Sequence, residues 1–305
     1  MPPLLELSDK EREARRPFRF QGRSGVAVLC LHGFTGSPAE MRPLAEHLAV
    51  SGHAAHVPLL PKHGDLPENL RGVRWTEWTE AARQALQDLE QKYEHLFIAG
   101  LSMGGLIALW LAAEHPSTKL RGLIVMGAPY AINDARTRLV GLARFFVPYY
   151  YPLRDANWED PEFRANLARR LNRQDVNFDD PAVRRAITQS VRIPVDAIHQ
   201  LICLNQRVIR LLPRVTTPVV FMQGRRDRVV SPQSAEALAA GVASTDKRVI
   251  WYENSAHELP IEPDAPVLFA DVLTFIKAQA QRAKPALADA MAEASAVAQA
   301  PTVPS

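Results

Sequence analysis

The chain is poor in the features that mark several large protein classes. It has only two cysteines in 305 residues, Cys30 and Cys203. They lie far apart in apolar segments, which excludes a disulfide framework and a cysteine zinc site and reads as two buried free thiols. The formal charge is only +3, and no basic block or basic-aromatic interleaving runs along the chain, so no nucleic-acid surface is expected. Residues 1–19 are rich in Glu, Lys and Arg and lack an apolar core of signal-peptide length. No apolar run approaches the length of a membrane span, so an integral membrane segment is not expected and the reading is a cytoplasmic protein. Large apolar side chains become scarce after Arg282. Residues 283–305, mostly alanine with proline, read as a disordered tail that buries too little surface to offset its ordering entropy. No internal repeat is present.

What is there is a strand-helix rhythm. Gly25–Leu31 is almost continuously apolar, the pattern of a strand buried on both faces. Ser37-Pro38-Ala39-Glu40 reads as a helix start, with Ser37 as N-cap and Pro38 at the first helical position. Met41, Leu44, Ala45 and Leu48 then form one apolar helical face. His53–Leu59 reads as a second strand. From Trp75 through Trp78, Ala82, Leu86 and Leu89 the apolar positions keep helical spacing. Leu96–Leu101 and Leu120–Met126 are buried strands flanking an apolar helix, Leu106–Glu114. The rhythm stops after Pro129 and resumes with a helix carrying Ile198 to Leu212, strand Pro218–Gln223, helix Ser234–Ala243, strand Arg248–Tyr252 and a helix from Pro266 to about Arg282.

Such alternation predicts an α/β chain with a doubly wound, mostly parallel sheet. The expected division is a core of residues 20–130 and 193–282, a helical cap inserted at 131–192, an N-terminal arm at 1–19 and the tail. The cap holds the aromatic run Phe145–Tyr151, which suits either the lining of an apolar pocket or the cap's own core.

The chemistry centres on Gly100-Leu101-Ser102-Met103-Gly104. This G-x-S-x-G sits between a buried strand and an apolar helix. A turn that tight has no room for Cβ atoms two residues either side of the serine, and it holds the serine Oγ at the C-terminal edge of the sheet. It is the pattern of a nucleophile elbow. A serine hydroxyl needs a base, and the base needs an orienting acid. Asp227 follows strand Pro218–Gln223 and the turn Gly224-Arg225-Arg226, where such an acid belongs. Glu253 closes the next strand, only four residues before His257. Of nine histidines, only His199 and His257 come late enough in the chain. His199 lies within a helix, and reads as a cap-facing or surface residue. His257 lies in the loop Glu253-Asn254-Ser255-Ala256-His257 directly after a strand and is the expected base. Oxyanion donors are expected from the N–H of Met103, just after the serine, and of Phe34 in His32-Gly33-Phe34-Thr35-Gly36. His32 reads as a hydrogen-bonding support of that loop.

Taken together, His32-Gly33-Phe34-Thr35-Gly36-Ser37-Pro38, Gly100-Leu101-Ser102-Met103-Gly104-Gly105, Gly224-Arg225-Arg226-Asp227 and Ser255-Ala256-His257 resemble the bacterial carboxylesterase and monoacylglycerol-lipase group of α/β-hydrolases, from about Gly25 to Ile276. The resemblance implies a serine hydrolase with a small helical cap over an apolar acyl pocket. It would act on short- to medium-chain esters or monoglycerides as small-molecule substrates, with no metal or organic cofactor. Where that group often has Gly-His-Gly after its second strand, this chain has Lys62-His63-Gly64. The same triad would serve a thioesterase, a carbon–carbon bond hydrolase or a cofactor-free perhydrolase. A non-catalytic binding protein of this fold usually lacks a triad residue, and all three are present here.

Overall fold

The computed structural model describes residues 9–132, 140–171 and 176–298. A short helix, α1 (Asp9–Ala14), precedes the main sheet. That sheet has seven strands: β1 (Phe18–Phe20), β2 (Val26–Leu31), β3 (Ala54–Val57), β4 (His95–Leu101), β5 (Leu120–Met126), β8 (Val219–Gly224) and β9 (Lys247–Tyr252), with β6 (Tyr149–Tyr150) and β7 (Ile193–Pro194) forming a separate small ladder. The spatial order is β1-β3-β2-β4-β5-β8-β9, and every neighbouring pair is parallel except β1 with β3.

The continuous apolar runs form these strands because both sheet faces are covered. Side chains alternate across a strand. In β2, Ala27, Leu29 and Leu31 therefore enter one core while Val26, Val28 and Cys30 enter the other. The first core takes α3 (Trp75–Glu90), α4 (Met103–Glu114), α7 (Val195–Leu211) and α8 (Gln233–Gly241). The second takes α2 (Arg42–Val50) and the last helix, α9 (Ala265–Ala298), through Leu268, Val272, Phe275 and Ile276. Helix α4 is buried on nearly all sides, so it shows no apolar stripe of its own.

Three sequence expectations are corrected. Strand β1 lies at residues 18–20, against an expected arm at 1–19; it adds to the edge by pairing antiparallel with β3. Ser37 precedes a short 3-10 turn, Pro38–Met41, and its side chain caps nothing. The last helix continues past Arg282 to Ala298, where a disordered tail was expected from 283, in line with the helix propensity of an alanine-rich stretch. Residues 299–305 lie outside the described residues.

Between β5 and β8 the chain forms α5 (Pro161–Leu171), α6 (Pro181–Ser190) and α7. Leu167, Phe178 and Ile187 make a small apolar cluster there, apart from the two sheet cores. Phe145 and Phe146 belong to none of these clusters and are 70% and 78% exposed, which removes the expected cap-core role for both. Tyr149 is held differently, with the guanidinium of Arg192 over its ring at 4.6 Å and that of Arg71 at 5.8 Å.

Candidate active site

Ser102 sits at the junction of β4 and α4 with φ 53° and ψ −112°. That region costs a residue with a Cβ of order 1–3 kcal/mol and is found where surrounding packing enforces it. The packing is visible in the two glycines. A Cβ on Gly100 would lie 2.2 Å from Gly104 O, and one on Gly104 would lie 2.2 Å from Leu31 O. Both positions therefore require glycine, as the motif implies. Ser102 N–H donates to Met126 O at 2.7 Å, tying the turn to the end of β5.

The next residue, Gly127, brings His257 to the same place: a Cβ there would lie 3.4 Å from His257 Nδ1. His257 Nδ1–H donates to Asp227 Oδ2 at 2.8 Å. Asp227 Oδ1 accepts the N–H groups of Val229 at 2.8 Å and Val230 at 2.9 Å, and Oδ2 also accepts Gln223 Nε2 at 2.9 Å. Burial alone would push the Asp227 carboxyl up. The hydrogen bond and charge of His257, with the two backbone N–H bonds, outweigh it and hold the carboxyl below its ordinary value. Glu253 faces away from this arrangement and pairs with Arg225 at 3.3 Å on the surface. His199 is on α7, half-buried against Arg144 and Cys203, as a cap-facing residue. Both cysteines are free thiols; Cys30 is buried, whereas Cys203 is only half-buried, against the expectation that both would be covered.

The His257 loop is held from behind. Glu262 accepts the N–H groups of Ala256 and Glu258, one on each side of the histidine. Asp264 accepts Asn254 N–H at 2.8 Å and Ser255 Oγ–H at 3.1 Å. Neither role was legible in the sequence, because the spacing of a loop carboxylate from its backbone partner follows no period.

The loop after β2 is fixed on both sides of Gly33. Gly33 N–H donates to Glu40 Oε2 at 3.0 Å. Leu60 N–H donates to His32 Nε2 at 3.1 Å, so that nitrogen is bare and the ring hydrogen is on Nδ1, which donates to Gly33 O at 2.9 Å. A trans peptide points its C=O and N–H in opposite directions. Holding Gly33 O on His32 therefore turns Phe34 N–H the other way, toward the side of the loop away from the imidazole. Gly33 itself borders the elbow: a Cβ there would lie 3.7 Å from Ser102 Cβ. Met103 N–H, first in α4, has no partner within its helix. His32 is buried and its pKa is lowered to about 3, by burial first and then by the charge of His63, against the raising effect of its bond to Gly33.

His63, from the loop Lys62-His63-Gly64, packs beneath Phe34 and His32. Its ring centroid is 5.0 Å from that of His32, 6.3 Å from Phe34 and 5.7 Å from Trp78. Gly64 N–H donates to Gly36 O at 3.3 Å, so this loop and the loop after β2 form one connected wall. Among the described residues, no group of three or more His, Cys, Asp or Glu is placed to hold a metal ion, and no helix is long and apolar enough to cross a membrane.

An elbow serine at the end of β4 and an aspartate-histidine pair after β8 and β9 are elements suited to a hydrolase, and comparison with known proteins identifies which. Residues 23–264 match the Hydrolase_4 family, described as serine aminopeptidase, S33. The chain belongs to this family. It is 28% identical over 250 residues to the thermostable monoacylglycerol lipase of Bacillus sp. (strain H-257), covering 82% of this chain and 90% of that protein. It is 26% identical over 263 residues to the carboxylesterase of Bacillus subtilis (strain 168), covering 86% and 96%. A solved structure from the metagenome-derived lipolytic enzymes LipS and LipT superposes with a TM-score of 0.68 at 28% identity, covering 87% of this chain and 98% of that one. This Hydrolase_4 chain is thus an α/β-hydrolase and a serine hydrolase of the esterase and lipase type.

Proposed function

We propose that the chain hydrolyses carboxylic esters by way of an acyl-enzyme on Ser102. With Nδ1–H given to Asp227, His257 keeps a bare Nε2 to take the serine proton. Ser102 Oγ attacks the ester carbonyl, and the oxygen that becomes negative is met by the N–H groups of Phe34 and Met103. The imidazolium then passes its proton to the departing alcohol, leaving the acyl group on Ser102. In the second half His257 takes a proton from water, the hydroxide attacks the acyl carbon, and the acid leaves as Ser102 recovers its proton. Asp227 stays ionised throughout and holds the imidazolium.

The observation that carries this reading is the 2.8 Å bond from His257 to a fully buried Asp227 side chain, together with a serine held at φ 53° whose N–H is bonded to Met126, the residue before the glycine that borders His257. The substrates this reading favours are esters of short- to medium-chain acids, monoglycerides among them, since the similar proteins include a monoacylglycerol lipase and a carboxylesterase. Labelling by a fluorophosphonate probe tests for an activated serine. A series of p-nitrophenyl esters of graded acyl length, run beside a monoglyceride and a thioester, tests the substrate class. Absence of labelling at Ser102 would overturn the mechanism, and preference for the thioester would overturn the substrate assignment.

A further inference from the structure

Gln223 is the next-to-last residue of β8, in the interior with no exposed surface, four residues before Asp227. Its Nε2 donates to Asp227 Oδ2 at 2.9 Å, the same oxygen that takes His257 Nδ1–H at 2.8 Å. The orientation of the amide is fixed by its partner, because a carboxylate accepts and only the NH2 end can donate. The other end, Gln223 Oε1, is buried with no hydrogen-bond partner. Leaving a buried carbonyl unpaired is costly, so the amide is not there to satisfy its own polar atoms. Its consequence is on the carboxylate.

We propose that Gln223 is a positioning residue, sharing Asp227 Oδ2 with His257 and thereby setting how strongly the carboxylate holds the imidazole. This rests on the assignment of Asp227 and His257 as acid and base. A neutral donor on Oδ2 draws off part of the negative charge that His257 would otherwise face. It also fixes the carboxylate plane, since the two N–H groups of Val229 and Val230 hold only Oδ1. The other charges around the pair are engaged elsewhere. Glu262 and Asp264 accept backbone N–H groups of the His257 loop, Arg225 pairs with Glu253, and Arg226 donates to Asn254 Oδ1 at 3.4 Å. Arg228 is exposed. Among the described residues, His257 is the ionisable group that bonds the Asp227 carboxylate directly.

The test is the acid limb of kcat/KM on a soluble ester, measured for Gln223→Met and Gln223→Glu. Methionine keeps the length and removes the donor. The carboxylate then attracts the imidazolium more strongly and is itself more easily protonated. Both effects move the limb to higher pH, by about half to one unit. Glutamate beside Asp227 forms a carboxyl pair that cannot doubly ionise at little cost, so it keeps a proton and donates it to Oδ2. Gln223→Glu should return the limb to its wild-type position and add a new loss of activity on the alkaline side, where the introduced carboxyl ionises. A merely structural glutamine would lower stability and kcat in both variants with the limb unmoved, and that result overturns the proposal. If Gln223→Met does not fold, the alkaline loss in Gln223→Glu decides alone: its presence supports the proposal and its absence refutes it. Ser102→Ala, run beside them, separates the two levels. Retained turnover there defeats the triad itself, whereas an inactive Ser102→Ala with an unmoved Gln223→Met limb defeats only the role of Gln223.

Discussion

Replacing His32 by leucine removes two hydrogen bonds at once, and their consequences are separable. Leu60 N–H loses its acceptor and Gly33 O loses the imidazole as donor, both in a buried setting. A buried polar group left unpaired costs about 1–3 kcal/mol, so the two together should cost roughly 2–6 kcal/mol of stability. Gly33 O keeps Gly36 N–H at 3.2 Å, which places the loss toward the lower half of that range. The catalytic cost has a different origin. With Gly33 O no longer held by the ring, the Gly33–Phe34 peptide can turn and Phe34 N–H leaves the oxyanion. Loss of one such donor lowers kcat by about 10²–10³, with little change in KM. Two further variants divide the effects. Asparagine places its amide nitrogen where Nδ1 was and can still donate to Gly33 O. Glutamine places an oxygen where Nε2 was and can still accept from Leu60 N–H. Denaturant unfolding and kcat on a soluble ester should therefore diverge, with His32→Asn nearer wild type in kcat and His32→Gln nearer wild type in stability. If His32→Leu keeps wild-type kcat in its folded form, or if Asn and Gln behave alike in both assays, the derivation of the Phe34 direction from the His32 bond is wrong.

The remaining expectations are briefer. Ser102→Ala and His257→Ala should each abolish ester turnover while melting near the wild-type temperature, because triad members act as a unit; more than a few per cent residual activity would count against the assignment. Asp227→Asn should be severe and Glu253→Gln silent, as steady-state rates at neutral pH will show, since only Asp227 touches the imidazole. Stability should fall as pH drops from about 6.5 toward 4, because burial lowers His32 to about 3 and His63 to about 4 while their unfolded forms keep ordinary values near 6.5. The unfolded chain takes up those protons first; a melting temperature that stays level over that interval would contradict it. Phe145→Ser and Phe146→Ser should leave the melting temperature unchanged, since both rings are exposed, and calorimetry on each variant would reveal any hidden packing role.

The sheet was legible because burial on both faces leaves no alternation to misread: Val26–Leu31 is apolar throughout, Leu120–Met126 is apolar apart from Arg121 and Gly122 near its start, and their limits in the fold differ little from those in the sequence. Strand β1 was not, since three residues with an exposed Arg19 at the centre carry no period, and only its partner β3 makes them a strand. The aspartate-histidine pair was legible through chain order and position at strand ends. Glu40, Gln223 and Glu262 were not. Each acts through a bond to a backbone group or carboxylate whose place depends on how loops meet. Glu40 stands in a Ser-Pro-Ala-Glu helix start, yet its carboxylate reaches back to Gly33 N–H. Of the two roles open to the aromatic run, the core role fails for Phe145 and Phe146, because large apolar side chains usually mark a core whereas these two face solvent.

The backbone angle at Ser102 has a consequence for what the chain gives up in order to act. Glycine adopts φ 53° freely, so Ser102→Gly would release strain of about 1–3 kcal/mol. Against this stands the greater freedom glycine has when unfolded, about 0.5–1 kcal/mol. The balance favours the substituted chain, which would unfold at higher denaturant concentration than the natural one and hydrolyse nothing. At this position folding alone asks for the smallest residue, and the hydroxyl is retained against the preference of the backbone that carries it.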